Sequence, residues 1–324
     1  MPATETFQAQ FHRRWGHLRR APVRALAWLL DAPDLLDVDA PEWAGRVATL
    51  GAVTPRVADW LARLDADPTE LDAALGARVH TRLGLYAEKL MAFYFAQQGT
   101  LVAHGLQIRA ARNDTVGEFD FLLDAGSDAA GPDALDHIEF ATKFYLLDGE
   151  AGQQFDALVG PNLADSLGVK MRKVFERQLV LGQHPAAQPL LPRPVTRAQA
   201  LVKGWLFYPS GSWPAMQGIA AGHCRGFWCA LDEFDAQAGD AFLVLPKLEW
   251  LAPFRGDAVE SGASLRDRAQ LLQELAEQFA TSGTPVLVAI VRRQGAAIEE
   301  VERGFIVPND WRERAAEVRM VKPV

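Results

Sequence analysis

Cysteine is almost missing from this chain: Cys224 and Cys229 are the only two in 324 residues. Two thiols cannot build a disulfide framework, and their scarcity agrees with a reducing cytoplasm as the expected location. With His223 they offer three zinc-type ligands where a structural site takes four, so buried, inert thiols are the expected reading. Long apolar runs are missing too. None approaches the roughly 18 to 20 residues of a membrane helix, so no membrane partner is expected. The polar residues 1–10 and the short apolar run 25–30, closed by Asp31, do not read as an export signal. G-x-S-x-G, a phosphate loop and G-x-G-x-x-G are all lacking, which leaves acyl transfer and nucleotide-fold chemistry without support. No repeat or low-complexity tract stands out. Positive charge is in deficit as well: a formal net charge of -8 argues mildly against a protein that coats nucleic acid.

What is present describes a globular chain. Hydrophobic residues make up 49% and charged residues 23%, and the length suffices for one large domain with elaborations or for two. Nine tryptophans form no pattern of sugar-stacking platforms and are expected in the core, which weakens a glycoside hydrolase built on two carboxylates. Cations gather in two stretches. Lys170, Arg172, Lys173, Arg177, Arg193, Arg197 and Lys203 outnumber Asp165 and Glu176, and Arg13, Arg14, Arg19, Arg20 and Arg24 cluster near the start. Either stretch could face phosphates, with ordinary solvated charge as the competing reading.

Apolar spacing predicts helices through the first seventy residues, around Leu26 to Leu30, around Trp43, Val47 and Leu50, and around Val57, Trp60, Leu61 and Leu64. Pro33, Pro41 and Pro55 separate them. A longer helix is expected over residues 71–98, ended at Gly99, followed by strands at 106–110, 117–123 and 137–145. A helix over 165–181, a proline-rich crossover at 183–197 and a buried strand at 201–208 come next. The last third predicts strands at 227–231, 242–245 and 285–291 and a helix over 265–281. Domain boundaries are expected at about 1–70 for a helical extension, 71–215 for the core and 216–324 for a C-terminal α/β part.

Two of these strands carry the chemistry. At the two-residue period of a strand, Gly117-Glu118-Phe119-Asp120-Phe121-Leu122-Leu123 puts Phe119, Phe121 and Leu123 on one face and Glu118, Asp120 and Leu122 on the other. In the second, Ile138, Phe140, Thr142, Phe144 and Leu146 oppose His137, Glu139, Ala141, Lys143 and Tyr145. Neighbouring strands would thus present carboxylates and an amine from one side of a sheet, which is the makings of a metal site. In the preceding helix Glu88 shares a stripe with Gly84, Leu85, Met91, Ala92 and Phe95, where a carboxylate needs a partner: a cation, or a structural cap. Gln178 lies in the stripe of Leu167, Met171, Val174 and Leu181, pointing at the sheet either as a site contact or as a satisfied core amide. Lys170, Lys173 and Arg177 make an adjacent basic stripe that could hold a phosphate backbone.

On Glu88, Gly117-Glu118-Phe119-Asp120, and Glu139 followed by Lys143, the region 71–210 resembles the PD-(D/E)XK nuclease superfamily, and within it an uncharacterised bacterial branch. The resemblance implies an α/β fold with a restriction-endonuclease-like central mixed sheet flanked by helices, here with an N-terminal helical extension and a C-terminal α/β elaboration. It implies a hydrolase: a metal-dependent nuclease that cleaves nucleic-acid phosphodiesters with Mg2+ or Mn2+, DNA being expected ahead of RNA as partner. Glu88, Asp120 and Glu139 would hold the metal, and Asp120, Glu139 and Lys143 would form the catalytic set, with Lys143 helping to activate water or steady charge. Glu118 reads either as a group supporting the metal ligands or as a solvated strand-end charge, and the resemblance would give Gln178 the same supporting role. The pattern departs from the family in one place. Ala141 stands where the lysine usually does, and Lys143 lies about 13 Å from Glu139 at Cα by strand rise. The alternative function is a non-catalytic nucleic-acid or protein-binding module that keeps the nuclease fold.

Overall fold

The computed structural model describes residues 5–77, 80–111, 114–125, 133–149, 155–209, 214–236, 239, 241–258 and 265–321. In chain order they form α1 (Phe7–Trp15), α2 (Ala21–Asp31), α3 (Pro55–Ala66), α4 (Thr69–Leu75), α5 (Leu83–Gln97), β1 (Leu101–Ala111), β2 (Asp114–Asp124) and β3 (Leu135–Leu147). There follow β4 (Leu158–Val159), α6 (Leu167–Lys173), β5 (Val195–Pro209), β6 (Cys224–Ala230), β7 (Phe242–Val244) and β8 (Arg255–Asp257). The chain closes with α7 (Arg268–Thr281), β9 (Val286–Gln294), β10 (Ala297–Val307) and α8 (Trp311–Val321). Local sequence accounts for several ends. The Thr6 and Thr54 hydroxyls accept the orphan N–H groups of Ala9 and Val57, and Asp267 with Gln270 forms a reciprocal capping box on α7. Gly99, at φ 71°, stops α5 as the sequence predicts.

One mixed sheet of ten strands runs β1-β2-β3-β5-β6-β10-β9-β7, with β4 on β3 and β8 on β10. The central pairings β3 with β5, β5 with β6 and β6 with β10 are parallel, and the flanking ones antiparallel. Parallel neighbours need a crossover, and α6 lies in the one from β3 to β5. Alternation along β5 shows how the layers are filled. Leu201, Trp205 and Phe207 enter the cluster built with α1, α2 and α5, while Ala200, Val202, Leu206 and Tyr208 enter the one built with α6. Helices on both faces make this an α/β protein. The same sheet passes without a break from the site-bearing strands into the last third of the chain.

Several local expectations change. The stretch 71–98 is two helices, because Gly76 takes a left-handed φ of 75° and ends α4 before α5 begins at Leu83. Trp43, Val47 and Leu50 do not share a helix. Pro41–Trp43 is a single 3-10 turn, Ala44 and Gly45 are left-handed at φ 49° and 72°, and Val47 bridges Ala200 in extended form. Strand β1 is longer than the 106–110 predicted, and α1, β10 and α8 lie in segments for which no element was predicted. The N-terminal basic patch is partly engaged within the chain, although Arg13, Arg14, Arg19 and Arg20 stay exposed. Arg24 is buried and donates to the carbonyls of Trp15, Leu18 and Pro253, Arg13 pairs with Glu5, Arg14 pairs with Asp31, and the Arg19 and Arg20 backbones bind Asp65. Both cysteines are buried and free, as expected.

A buried ion pair on β10 anchors α1 and residues 250–254 to the sheet. Arg303 and Glu300 are both 0% exposed and joined twice, Nε to Oε1 at 2.7 Å and Nη2 to Oε2 at 2.8 Å. Arg303 also donates to the carbonyls of Trp250 and Ala252 and lies 4.2 Å from the Trp205 ring centroid. Glu300 accepts from Phe254 N–H, and its carbonyl accepts from His12 Nε2 on α1 at 2.9 Å. Four Arg303 N–H groups and both Glu300 carboxylate oxygens are thereby engaged with specific partners. Arg303→Met, which strands a buried carboxylate, is expected to cost about 3–5 kcal/mol in denaturant unfolding, whereas Arg303→Met with Glu300→Gln recovers part of that loss. Equal midpoints for the single variant and the native chain would contradict this account.

Candidate metal centre

Strands β2 and β3 pair only from Phe121 opposite Ile138 to Asp124 opposite Leu135. Past that point they part, and Asp120 spans the opening by accepting a hydrogen bond from the Phe140 N–H at 2.9 Å. The parting upsets the simple alternation predicted for β2. Phe121 packs with Phe95 and Ile138 on the α5 side, but Phe119 joins Ile108, Leu122 and Leu181 in a different cluster. Phe119, Phe121 and Leu123 therefore do not share one face, because a strand released from its neighbour is free to turn between Phe119 and Phe121. Through this opening, groups from both layers meet.

Glu88, Glu118 and Asp120 each bring a carboxylate oxygen within 4.8 Å of the others, and all three are half-buried. Glu88 comes from α5, whose Leu90, Met91 and Phe95 are buried. Its apolar stripe is only half a stripe: Gly84 and Leu85 face solvent, Leu85 at 51% exposure, so Glu88 stands at a mouth rather than inside the core. His104 Nε2 on β1 lies 3.5 Å from Glu88, with the ring stacked on Phe121. Glu118 accepts from Gln107 Nε2 at 3.2 Å. Glu118 thus stands in the tightest acidic group itself, whereas Glu139 joins it from the side.

Glu139 is 2% exposed, and its Oε1 accepts from the Gln178 amide. Among the described residues its Oε2 has no hydrogen-bond partner; it lies 3.8 Å from Nε2 of His137, a fully buried imidazole whose two nitrogens likewise have none there. Burial holds the His137 pKa down at about 4, so the ring is neutral near pH 7. The carboxyls of Asp120 and Glu139 lie within hydrogen-bonding reach of each other, and both titrate well above the usual carboxylate range, chiefly through burial; the Glu139 charge adds to the shift of Asp120.

The cations stand on the α6 side. Lys143 is half-buried, and burial first, then Lys170, pushes its pKa down to about 8, while Asp165 and Glu139 pull the other way. Lys143 is therefore within electrostatic range of Glu139, although it makes no ion pair with it among the described residues. Lys170 Nζ reaches Gln178 Oε1 at 3.4 Å, and both Lys170 and Lys173 favour the ionised form of Glu139. Arg177 is exposed, and no hydrogen bond or ion pair ties it to the acids among the described residues. The remaining cations of the basic run are engaged elsewhere: Arg172 with Asp156, Arg193 with Asp124, Arg197 with Asp136, and buried Lys203 with Asp34. Sequence reasoning assigned no role to His104 or His137. A histidine within a strand carries no periodic signal that separates a core ring from a partner of a carboxylate.

The sequence model of one family, described as a domain of unknown function, DUF1853, matches residues 24–307. The chain belongs to the DUF1853 family. No curated protein and no solved structure matches it. The DUF1853 match runs from α2 to the end of β10, so it takes in every acid, amide and lysine named above, and only α1 and α8 among the helices lie wholly outside it.

The donor set fits a hard divalent cation. It offers only carboxylate oxygens, the ligand type such ions take, and one oxygen from each of Glu88, Glu118 and Asp120 lies within 4.8 Å of the others. The Glu139 Oε2 without a hydrogen-bond partner among the described residues, and the raised titration of buried Asp120, mark carboxyl groups that a cation would stabilise in their ionised form. The sign of the pH effect follows. A carboxyl whose folded pKa is raised holds its proton more tightly folded than unfolded, so its contribution is favourable below about pH 4 and is lost as the pH climbs through neutral. In EDTA the protein is expected to lose stability from pH 5 to pH 8, and Asp120→Asn to reduce that loss by about 1 kcal/mol. Mn2+ should raise the thermal midpoint of the native chain at pH 8 and leave Asp120→Asn unmoved. A native chain indifferent to Mn2+ would exclude this centre.

Proposed function

We propose that this protein is a metal-dependent nuclease of PD-(D/E)XK type, hydrolysing phosphodiester bonds of DNA or RNA. The observation that carries the reading is the meeting of Glu88, Glu118 and Asp120 beside a buried Glu139 oxygen without a partner. Glu88, Asp120 and Glu139, with Glu118, would hold a divalent cation, Mg2+ or Mn2+, which when bound would supply charge neutralisation at a phosphate and a more acidic water. The residues of the chain do the rest. Asp120 is oriented by the Phe140 N–H and Glu139 by the Gln178 amide, so neither ligand has to reorganise. Lys143 and Lys170, on the flank of Glu139, offset charge that develops on the phosphate. Exposed Lys173 and Arg177 extend the positive strip outward, where the backbone of a bound strand would lie.

A second reading, a binding module that retains the fold, draws on the displaced lysine: Ala141, not Lys143, holds the position nearest Glu139. One experiment separates the two. Purified protein is incubated with single- and double-stranded DNA and RNA in Mg2+, Mn2+ or EDTA. Under the nuclease reading, cleavage requires metal and falls at least a hundredfold in Asp120→Asn and in Glu139→Gln while both variants keep the native circular dichroism. Lys143→Met should lower the rate without abolishing metal binding. Retained cleavage in both acid variants overturns the mechanism, and metal-dependent binding without any cleavage selects the binding module.

A further inference from the structure

A pocket of about 400 Å³ adjoins the acidic cluster on the same two elements. Gly84 lines it one helical turn before Glu88 on α5, and Lys143 lines it four residues beyond Glu139 on β3. Five chain segments wall it, from the start of α5, the end of β3, the turn before α6, the turn at residues 247–250 and the entry to β9. Its chemistry is mixed in a telling way. Trp250 and Phe144, both half-buried, lie 5.6 Å apart between ring centroids and give the pocket an aromatic wall. Exposed Arg82 and Lys247 stand at its rim without an ion-pair partner among the described residues, and Lys143 adds a third cation from the floor. Asp165 is the one carboxylate in the lining, and it is engaged by the Tyr145 hydroxyl at 3.0 Å.

The geometry points to a subsite for one phosphorylated nucleoside, with the base against Trp250 and Phe144 and the phosphate between Arg82 and Lys247. An aromatic platform accepts any base, worth about 1–3 kcal/mol in stacking, and paired cations accept a phosphate. The size fits a single unit, within the range of about 300–1,000 Å³ for small-molecule sites. Such a unit is either a free mononucleotide or the phosphorylated end of a strand; only the latter source rests on the nuclease reading. In that case the neighbouring bond of the strand would run towards the acidic cluster.

Calorimetry on the full chain in EDTA tests the subsite without any cleavage. AMP is expected to bind at least tenfold more tightly than adenosine or inorganic phosphate, and Arg82→Glu with Lys247→Glu to weaken AMP at least tenfold while leaving Mn2+-induced stabilisation intact. Equal binding of adenosine, equal binding of phosphate, no binding of AMP, or AMP binding unchanged by the charge reversals would each overturn the assignment. Trinucleotides with a 5′-phosphate, a 3′-phosphate or neither then compete against AMP. Competition that needs a terminal phosphate supports the subsite with a strand end as ligand; AMP binding without such competition supports it with a free nucleotide. Should AMP bind as expected while no nucleic acid is cleaved, the nuclease reading fails and the subsite stands.

Discussion

The structure turns on a place where pairing stops. An antiparallel ladder between β2 and β3 that ran its full length would fill the space that Asp120 occupies and would keep α5 and α6 on separate sides of a closed sheet. Because the ladder ends at Phe121 and Ile138, Glu88 from one helical layer and Glu139, held by Gln178 from the other, meet across one opening. The carboxylate of Asp120 substitutes for the lost backbone acceptor by taking the Phe140 N–H, so the break leaves that donor satisfied. What it does leave is carboxyl groups held out of water, and that burial is the main source of the upward titration of Asp120 and Glu139, with the neighbouring Glu139 charge adding to the shift of Asp120. Such a site is unfavourable in isolation. It persists because the flanking strands β3 and β5 pair over twelve positions, with Gly204 so close to β3 that a Cβ there would stand 2.2 Å from the Lys143 carbonyl oxygen.

Charge elsewhere in the molecule sharpens this local field. A chain with a net charge of -8 does not attract polyanions globally, and most of its cations are committed internally, Arg24 and Lys203 as buried donors, Arg303 as the centre of a core network. What remains near the opening is a short row on α6 and its continuation, Lys170, Lys173 and Arg177, together with Lys143 on β3. Positive potential confined to the flank of an acidic cluster favours a ligand that is itself divided, anionic along its length and needing a cation at one point. That is the charge pattern of a phosphodiester chain with a bound metal ion.

Much of the arrangement was legible in the sequence, and the unread parts have definable causes. The strand carrying Glu139 announced itself because alternation survives where each face meets a core, whereas β2 keeps it only while it pairs with β3, and Gln178 could be aimed at the sheet because the apolar stripe of α6 continues into the π-helical turn Val174–Gln178 that follows it. The helix break at Gly76 was hidden by apolar residues on both sides that continue the same spacing. Trp43 and Val47 mimicked a helix by standing four residues apart, yet the left-handed pair Ala44 and Gly45 turns them into opposite ends of a bend that packs under β5. Strand β10 escaped notice because Glu299, Glu300, Glu302 and Arg303 look like solvated charge; only tertiary pairing reveals that two of them are fully buried. Glu118 was undervalued for a similar reason. Its role depends on where β2 leaves β3, and no one-dimensional pattern encodes the end of a ladder.

The displaced lysine brings these threads together. Four residues separate Glu139 from Lys143, an even number, so both side chains leave β3 on the same face, one at the acidic opening and the other in the floor of the aromatic pocket. A lysine two residues after the glutamate would have stood wholly beside the acids. Moved one pleat along, it lies between two environments and is answerable to both: Glu139 favours its charge from one direction and Asp165 from another, while burial and Lys170 oppose it. The shift therefore need not signal a worn-out site. It places a cation at the junction between the acidic cluster and the neighbouring cavity, where a single ammonium is shared by the two.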